Sequence, residues 1–209
     1  MTARITQILV GQMANFTYIL ADVNSHEAAL IDPSWELEKI FATMKKNTWE
    51  VRYIINTHTH FDHVLGNEQA GSVTGAKIIQ HENSTHFNDI VVKDGQVISI
   101  GDIMLKIIHT PGHSKDSMCI VVNNESVFTG DTLFVGSCGR TDLPGSDTSE
   151  MYDSLFEKIA NLDKSLIVYP GHDYGSTQTT TIGRELEYNQ VLRPRSRAEF
   201  LRFMESADD

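Results

Sequence analysis

The run Val51-Arg52-Tyr53-Ile54-Ile55-Asn56-Thr57-His58-Thr59-His60-Phe61-Asp62-His63 changes character at its midpoint. Its first five residues are mostly apolar and β-favouring, which predicts a strand. Its last six carry four side chains with metal-ligating chemistry: His58, His60, Asp62 and His63. Gly66 closes the run, and a helix is expected to start near Asn67. The ligand-rich segment therefore lies on a strand-to-helix loop, where functional side chains commonly converge. In an extended chain His58 and His60 fall on one side, whereas Asp62 and His63 turn toward a second position. That arrangement suits two metal ions better than one.

Further candidates stand at strand ends downstream. His113 follows the predicted strand 104–108 in His109-Thr110-Pro111-Gly112-His113, and Asp131 ends Phe128-Thr129-Gly130-Asp131. His172 ends Tyr169-Pro170-Gly171-His172. Each follows a glycine, which lets the backbone approach a shared centre closely. Imidazole and carboxylate donors without thiolates suit zinc, iron or manganese, and disfavour a four-cysteine structural site. His26, His81, His86 and His109 lack such a context and are expected to be ordinary histidines. Cys138 has no evident activating base beside it, so a packing role is expected.

Around these motifs, residues 16–20 and 28–32 are expected to form strands joined by a turn. Ser34 then offers an N-cap for a helix with Leu37, Ile40, Phe41 and Met44 on one face. Residues 76–79 form the next expected strand. Residues 97–100, 104–108, 118–122 and 127–129 suggest a β-meander, with Gly101-Asp102 and Asn123-Asn124 as hairpin turns. A helix over 149–159 should bury Met151, Leu155 and Ile159, and 166–168 is the last expected strand. The pattern is that of an α/β (α+β) chain with mixed sheets rather than a doubly wound parallel one. Residues 1–209 are expected to form one domain, with 181–209 as a short helical extension. No Gly-x-Gly-x-x-Gly or phosphate-loop sequence occurs, so dinucleotide and nucleoside-triphosphate binding lack their physical basis.

The formal net charge of −11 over 209 residues opposes nucleic-acid and anionic-membrane binding. Two cysteines cannot build a disulfide scaffold. The N-terminus lacks a signal-peptide core and no apolar run is long enough to span a bilayer, so a soluble, cytoplasmic protein is expected. The expected partner is a small molecule, and assembly with further copies of the chain is left open.

The sequence resembles the metallo-β-lactamase-fold hydrolase superfamily, on His58-x-His60-x-Asp62-His63, Thr110-Pro111-Gly112-His113, Gly130-Asp131 and Tyr169-Pro170-Gly171-His172 in family order. The resemblance implies a four-layer αββα sandwich with the metal centre at one edge. It implies a first metal on His58, His60 and His113, a second on Asp62, His63 and His172, and Asp131 between them. Gly130-Asp131-Thr132-Leu133-Phe134 with Cys138-Gly139-Arg140 is similar to glyoxalase II, which hydrolyses hydroxyacylglutathione thioesters. Cys138-Gly139-Arg140-Thr141-Asp142 and Tyr169-Pro170-Gly171-His172-Asp173-Tyr174 are more similar to persulfide dioxygenases. Those relatives use one iron, on positions matching His58, His113 and Asp131.

The first expectation is a hydrolase with two divalent ions, zinc before iron or manganese, whose metal-bound hydroxide attacks a thioester or related acyl-thiol. Asp62 and Asp131 then serve catalysis, Tyr174 assists the oxyanion and contacts substrate, and Arg140 receives a substrate carboxylate. An ion pair of Arg140 with Asp142 or Asp147 is the structural alternative. The second expectation is a mononuclear iron persulfide dioxygenase. Three departures from the pattern matter. Asp116 stands where the family usually has glycine, a change compatible with a left-handed turn. Gln190-Val191 replaces the dioxygenase pattern after Asn189. The stretch after His172 has room for two helices, less than the helical region of glyoxalase II.

Overall fold

Every residue of strand β2 (Asn15–Asp22) is buried, so both of its faces must be covered. Phe16, Tyr18 and Leu20 point into one apolar cluster, while Ile19 and Ala21 point into another. The same alternation recurs in β9 (Met118–Val122), where Met118, Ile120 and Val122 face inward and Cys119 and Val121 outward. Two sheets buried on both faces need helices outside them, and the result is an αββα sandwich. The computed structural model describes residues 3–193 and 195–207.

The first sheet runs β1-β2-β3-β4-β5-β6 and the second β12-β11-β10-β9-β8-β7. In the first, β1 (Ala3–Val10), β2 and β3 (Glu27–Ile31) are antiparallel. Strands β4 (Glu50–Ile55), β5 (Lys77–His81) and β6 (Ile90–Val92) then continue parallel to β3. In the second, β7 (Val97–Ile100), β8 (Ile103–His109), β9 and β10 (Ser126–Gly130) form the expected meander. Strand β11 (Ile167–Pro170) joins β10 in parallel, and the short β12 (Thr180–Thr181) pairs antiparallel with β11. Gly101, Asn123 and Asn124 take the left-handed conformation in the two hairpin turns.

Helices α1 (Leu37–Asn47) and α3 (Asn67–Thr74) cover the outer face of the first sheet, and α2 (Phe61–Val64) is a single turn between them. Ser34 does not cap α1. The cap position is Glu36 in a left-handed conformation, with its carboxylate engaged by Gly11 N–H and by Lys39. Ser34 is instead buried beneath the metal loop, where Gly66 N–H donates to the carbonyl of the neighbouring Pro33. The chain must pass under that loop before the helix can begin.

The outer face of the second sheet carries α4 (Thr148–Tyr152), α5 (Ile182–Tyr188) and α6 (Arg197–Ala207). Asp147 caps α4, its side chain accepting from the N–H groups of Ser149 and Glu150. The helix runs on through a π turn (Asp153–Lys158) into a 3₁₀ turn (Ile159–Asn161). Met151, Leu155 and Ile159 are fully buried, as their i, i+4, i+8 spacing predicts. Among the described residues no helix is long and apolar enough to cross a membrane. Phe200 of α6 is completely buried in the cluster that holds Val121 and Val168. Phe200→Ala should therefore cost about 3–5 kcal/mol in urea unfolding, with one cooperative transition. Loss of less than 1 kcal/mol, or a separate early transition, would show the C-terminal helix to be an independent appendage.

Candidate metal centre

Five strands end at one edge of the sandwich, and each delivers a polar group there. Strands β3 and β4 are parallel neighbours with Ile31 beside Ile55, so Asp32 and Asn56-Thr57 leave the sheet together. Thr57 donates to Asp32 from its backbone N–H (2.7 Å) and its hydroxyl (2.6 Å). From the second sheet, β8 leads to His113, β10 to Asp131 and β11 to His172. A backbone bridge between Asn15 and His172 closes the two sheets over this edge.

The structure brings the ligand candidates together in two triads, His58–His60–His113 and Asp62–His63–His172, each with its ligand atoms within 4.8 Å of one another. His60 Nδ1 and His113 Nε2 are 2.8 Å apart, and His63 Nε2 and His172 Nε2 are 3.2 Å apart. Asp131 stands between the triads. Its Oδ2 lies 3.5 Å from His113 Nε2 and 3.3 Å from His172 Nε2, and its Oδ1 lies 3.5 Å from His63 Nε2. His58 Nε2 and Asp131 Oδ1 are buried without a hydrogen-bond partner. Converging nitrogen lone pairs and an orphaned carboxylate oxygen are what a divalent ion requires, and a donor set without thiolates suits zinc, iron or manganese.

The ring nitrogens facing away from the centre are fixed by acceptors. His113 Nδ1–H donates to the Arg140 carbonyl (2.9 Å) and His172 Nδ1–H to the Met13 carbonyl (2.8 Å), leaving each Nε2 lone pair for a metal. His63 Nδ1–H donates to Asp32 Oδ2 (3.0 Å). Asp32 also lies near His58, but its oxygens are already occupied by Thr57 and His63, so it supports ligands rather than joining them. Asn15 Nδ2 donates to Asp62 Oδ2 (2.9 Å) and holds that carboxylate toward the second triad. Gly171 has a packing reason to be glycine: a Cβ there would collide with Asp131 Oδ1. Gly112, at φ +137°, instead lies against the Met151 backbone.

Electrostatics in the metal-free centre divide the histidines. Burial, reinforced by His63, holds His58 well below its ordinary value, and burial with His113 lowers His60. Burial would also depress His63, but the carboxylates of Asp131, Asp32 and Asp62 outweigh it and raise it to about 9. Asp131 is well below the usual carboxylate range: burial opposes this, and the charges and hydrogen bonds of His63, His172 and His58 overcome it. His63 is thus protonated at pH 7 and must release that proton to bind metal, so affinity weakens as pH falls below about 9.

The triads open into a cavity of about 600 Å³ whose wall includes Phe134, Cys138, Arg140 and Tyr174. Tyr174 stacks on His172 (centroids 4.6 Å, 12°), and burial followed by Asp131 and Asp62 raises its phenol, which stays neutral. Arg140 lines the cavity and forms a bidentate ion pair with Asp142. Asp147 is engaged at its helix cap. Cys138 packs partly against the outer cluster and also reaches the cavity. Asp116 does not adopt a left-handed turn. It is buried and accepts hydrogen bonds from Thr59 (2.5 Å) and Ser114 (2.7 Å), tying the His113 loop to the His58–His60 segment.

Sequence reasoning missed Asp32, Asn15, Glu185 and Asn189. Asp32 carried a signal, a carboxylate ending an otherwise apolar strand. Glu185 accepts from Gly136 N–H (2.8 Å), and Asn189 donates to the Ser137 carbonyl (3.1 Å), so the C-terminal segment braces the cavity wall. Their positions gave no local signal, because both act across about 50 residues. His81 and His109 stack on each other at 4.0 Å, and among the described residues neither belongs to a metal-holding group.

The sequence profile of the metallo-beta-lactamase superfamily matches residues 10–172. The chain belongs to this superfamily. It is 32% identical over 195 residues to the probable polyketide biosynthesis zinc-dependent hydrolase PksB of Bacillus subtilis, covering 90% of this chain and 86% of that one. It is 32% identical over 231 residues to the hydroxyacylglutathione hydrolase of a Polaromonas species, covering 93% and 87%. The crystal structure of ETHE1 from Myxococcus xanthus superposes with a TM-score of 0.90 at 30% identity, covering 99% and 92%. Replacing Asp32 with Ala should weaken metal binding at the Asp62–His63–His172 triad about 10–100-fold in calorimetric titration, and leave the other triad near its original affinity. Equal weakening at both triads, or none, would contradict the support role of Asp32.

Proposed function

We propose that this member of the metallo-β-lactamase superfamily is a two-metal thioester hydrolase. One observation carries the reading: two complete three-ligand sets flank a shared buried carboxylate at the floor of an open cavity. His58, His60 and His113 would hold one divalent ion and Asp62, His63 and His172 the other, with Asp131 between them. Zinc is the proposed occupant, supported by the donor set and by the zinc-dependent hydrolase among the relatives. When bound, such ions activate water near neutral pH and polarise a carbonyl oxygen.

The residues of the chain do the rest. Asp62, anchored by Asn15, accepts the proton of the attacking water on its remaining oxygen. Asp131 lies between the two triads and keeps them in register, and its negative charge would favour two cations held side by side. Tyr174, held neutral, donates its phenolic hydrogen to the oxyanion. The leaving thiolate needs no strong acid to depart. Asp131→Ala should lower kcat at least 100-fold with the circular dichroism spectrum unchanged. Tyr174→Phe should lower kcat about 10–100-fold with little change in KM. A fully active Asp131→Ala variant would overturn the reading.

A second reading, an iron-dependent persulfide dioxygenase, is supported by the likeness to ETHE1 over 92% of that chain and by the Asp173-Tyr174 pair beside His172. Oxygen uptake with glutathione persulfide on iron-loaded protein separates the two. Thioester cleavage without oxygen uptake is expected, and uptake matching persulfide consumed would replace the hydrolase reading.

A further inference from the structure

Beyond the reacting centre, the cavity has a largely apolar wall. Its wall away from the ligands consists chiefly of Met13, Phe61, Phe134, Leu143, Pro144 and Tyr174. Three of these are large apolar side chains left facing solvent: Phe61 is 62% exposed, Tyr174 54% and Met13 41%. Exposed apolar groups gathered at one mouth mark a surface that a ligand covers. Among the described residues Arg140 is the one lysine or arginine lining the cavity. One edge of its guanidinium, Nε and Nη2, is engaged by Asp142, whose carboxyl the arginine in turn holds below its ordinary value. The pair presents no net charge to a ligand, and the protein as a whole carries −11.

Resting on the hydrolase reading, we infer that the preferred substrates are thioesters of uncharged thiols, amide-bearing or alkyl, rather than thioesters of glutathione. Glutathione carries two carboxylates at the ends of its tripeptide, remote from the sulfur. With the sulfur at the metal centre those carboxylates would lie along the apolar wall, where they lose hydration and meet one cation, Arg140, whose charge Asp142 already offsets. A neutral thiol loses little hydration there and buries its carbon chain. Asp142 is accordingly a specificity residue, acting through Arg140.

The test compares S-propionyl-N-acetylcysteamine with S-propionylglutathione, which share an acyl group and differ only in the thiol. On the zinc-loaded full chain, kcat/KM should be at least tenfold higher for the N-acetylcysteamine ester, with the difference mainly in KM. Asp142→Asn should shift the ratio toward the glutathione ester at least threefold. Equal or faster cleavage of the glutathione ester overturns this inference and leaves the hydrolase reading standing. An unchanged ratio in the variant overturns the role given to the Arg140–Asp142 pair. Cleavage of neither ester overturns the hydrolase reading and this inference with it.

Discussion

Asp131 is a buried carboxylate with three imidazole nitrogens within 3.5 Å, and the architecture of the catalytic edge follows from keeping it there. A lone carboxylate in that position would be expelled or protonated, because burial disfavours the charged form. Five histidines from three loops and a second carboxylate, Asp62, surround the same point. Bringing so many polar groups together requires that the chain repeatedly return to one edge. Strands that end at a common edge of two packed sheets do this, and the apolar clusters on their faces hold the ends still.

A second layer of hydrogen bonds converts proximity into orientation. Asp32 joins the ends of β3 and β4 to His63 through three contacts of 3.0 Å or less. The carbonyls of Met13 and Arg140 select the ring tautomers of His172 and His113. Asp116 links Thr59 to the His113 loop, so the two halves of the first triad move as one. Farther out, Glu185 and Asn189 hold the 136–140 wall of the cavity from the C-terminal helices. The 136–140 segment thus serves both purposes, since it lines the cavity and supplies the carbonyl that orients His113.

Much of this was legible in the sequence because the signals were local. The alternation of apolar residues located most strands, and the dense His58–His63 segment announced its own chemistry. Glycines before His113, Asp131 and His172 pointed to close backbone approach, most directly at Gly171. What escaped was nonlocal or mixed. Strand β1 alternates weakly because it is half buried at a sheet edge, and β6 is only three residues long. Ser34 was a reasonable cap whose role was displaced by the need to pass beneath Gly66. Asp116 looked like a turn residue, but one of its two partners, Thr59, comes from a loop 57 positions away. Glu185 and Asn189 act only through the tertiary fold, which no spacing rule reports.

The account stands on two triads that share Asp131, and metal stoichiometry addresses this most directly. The purified chain, stripped with chelator and reloaded with zinc at pH 8, should bind two ions per chain by elemental analysis, and His63→Ala should bind one. One ion per chain in the unaltered protein, at saturating zinc, would contradict it.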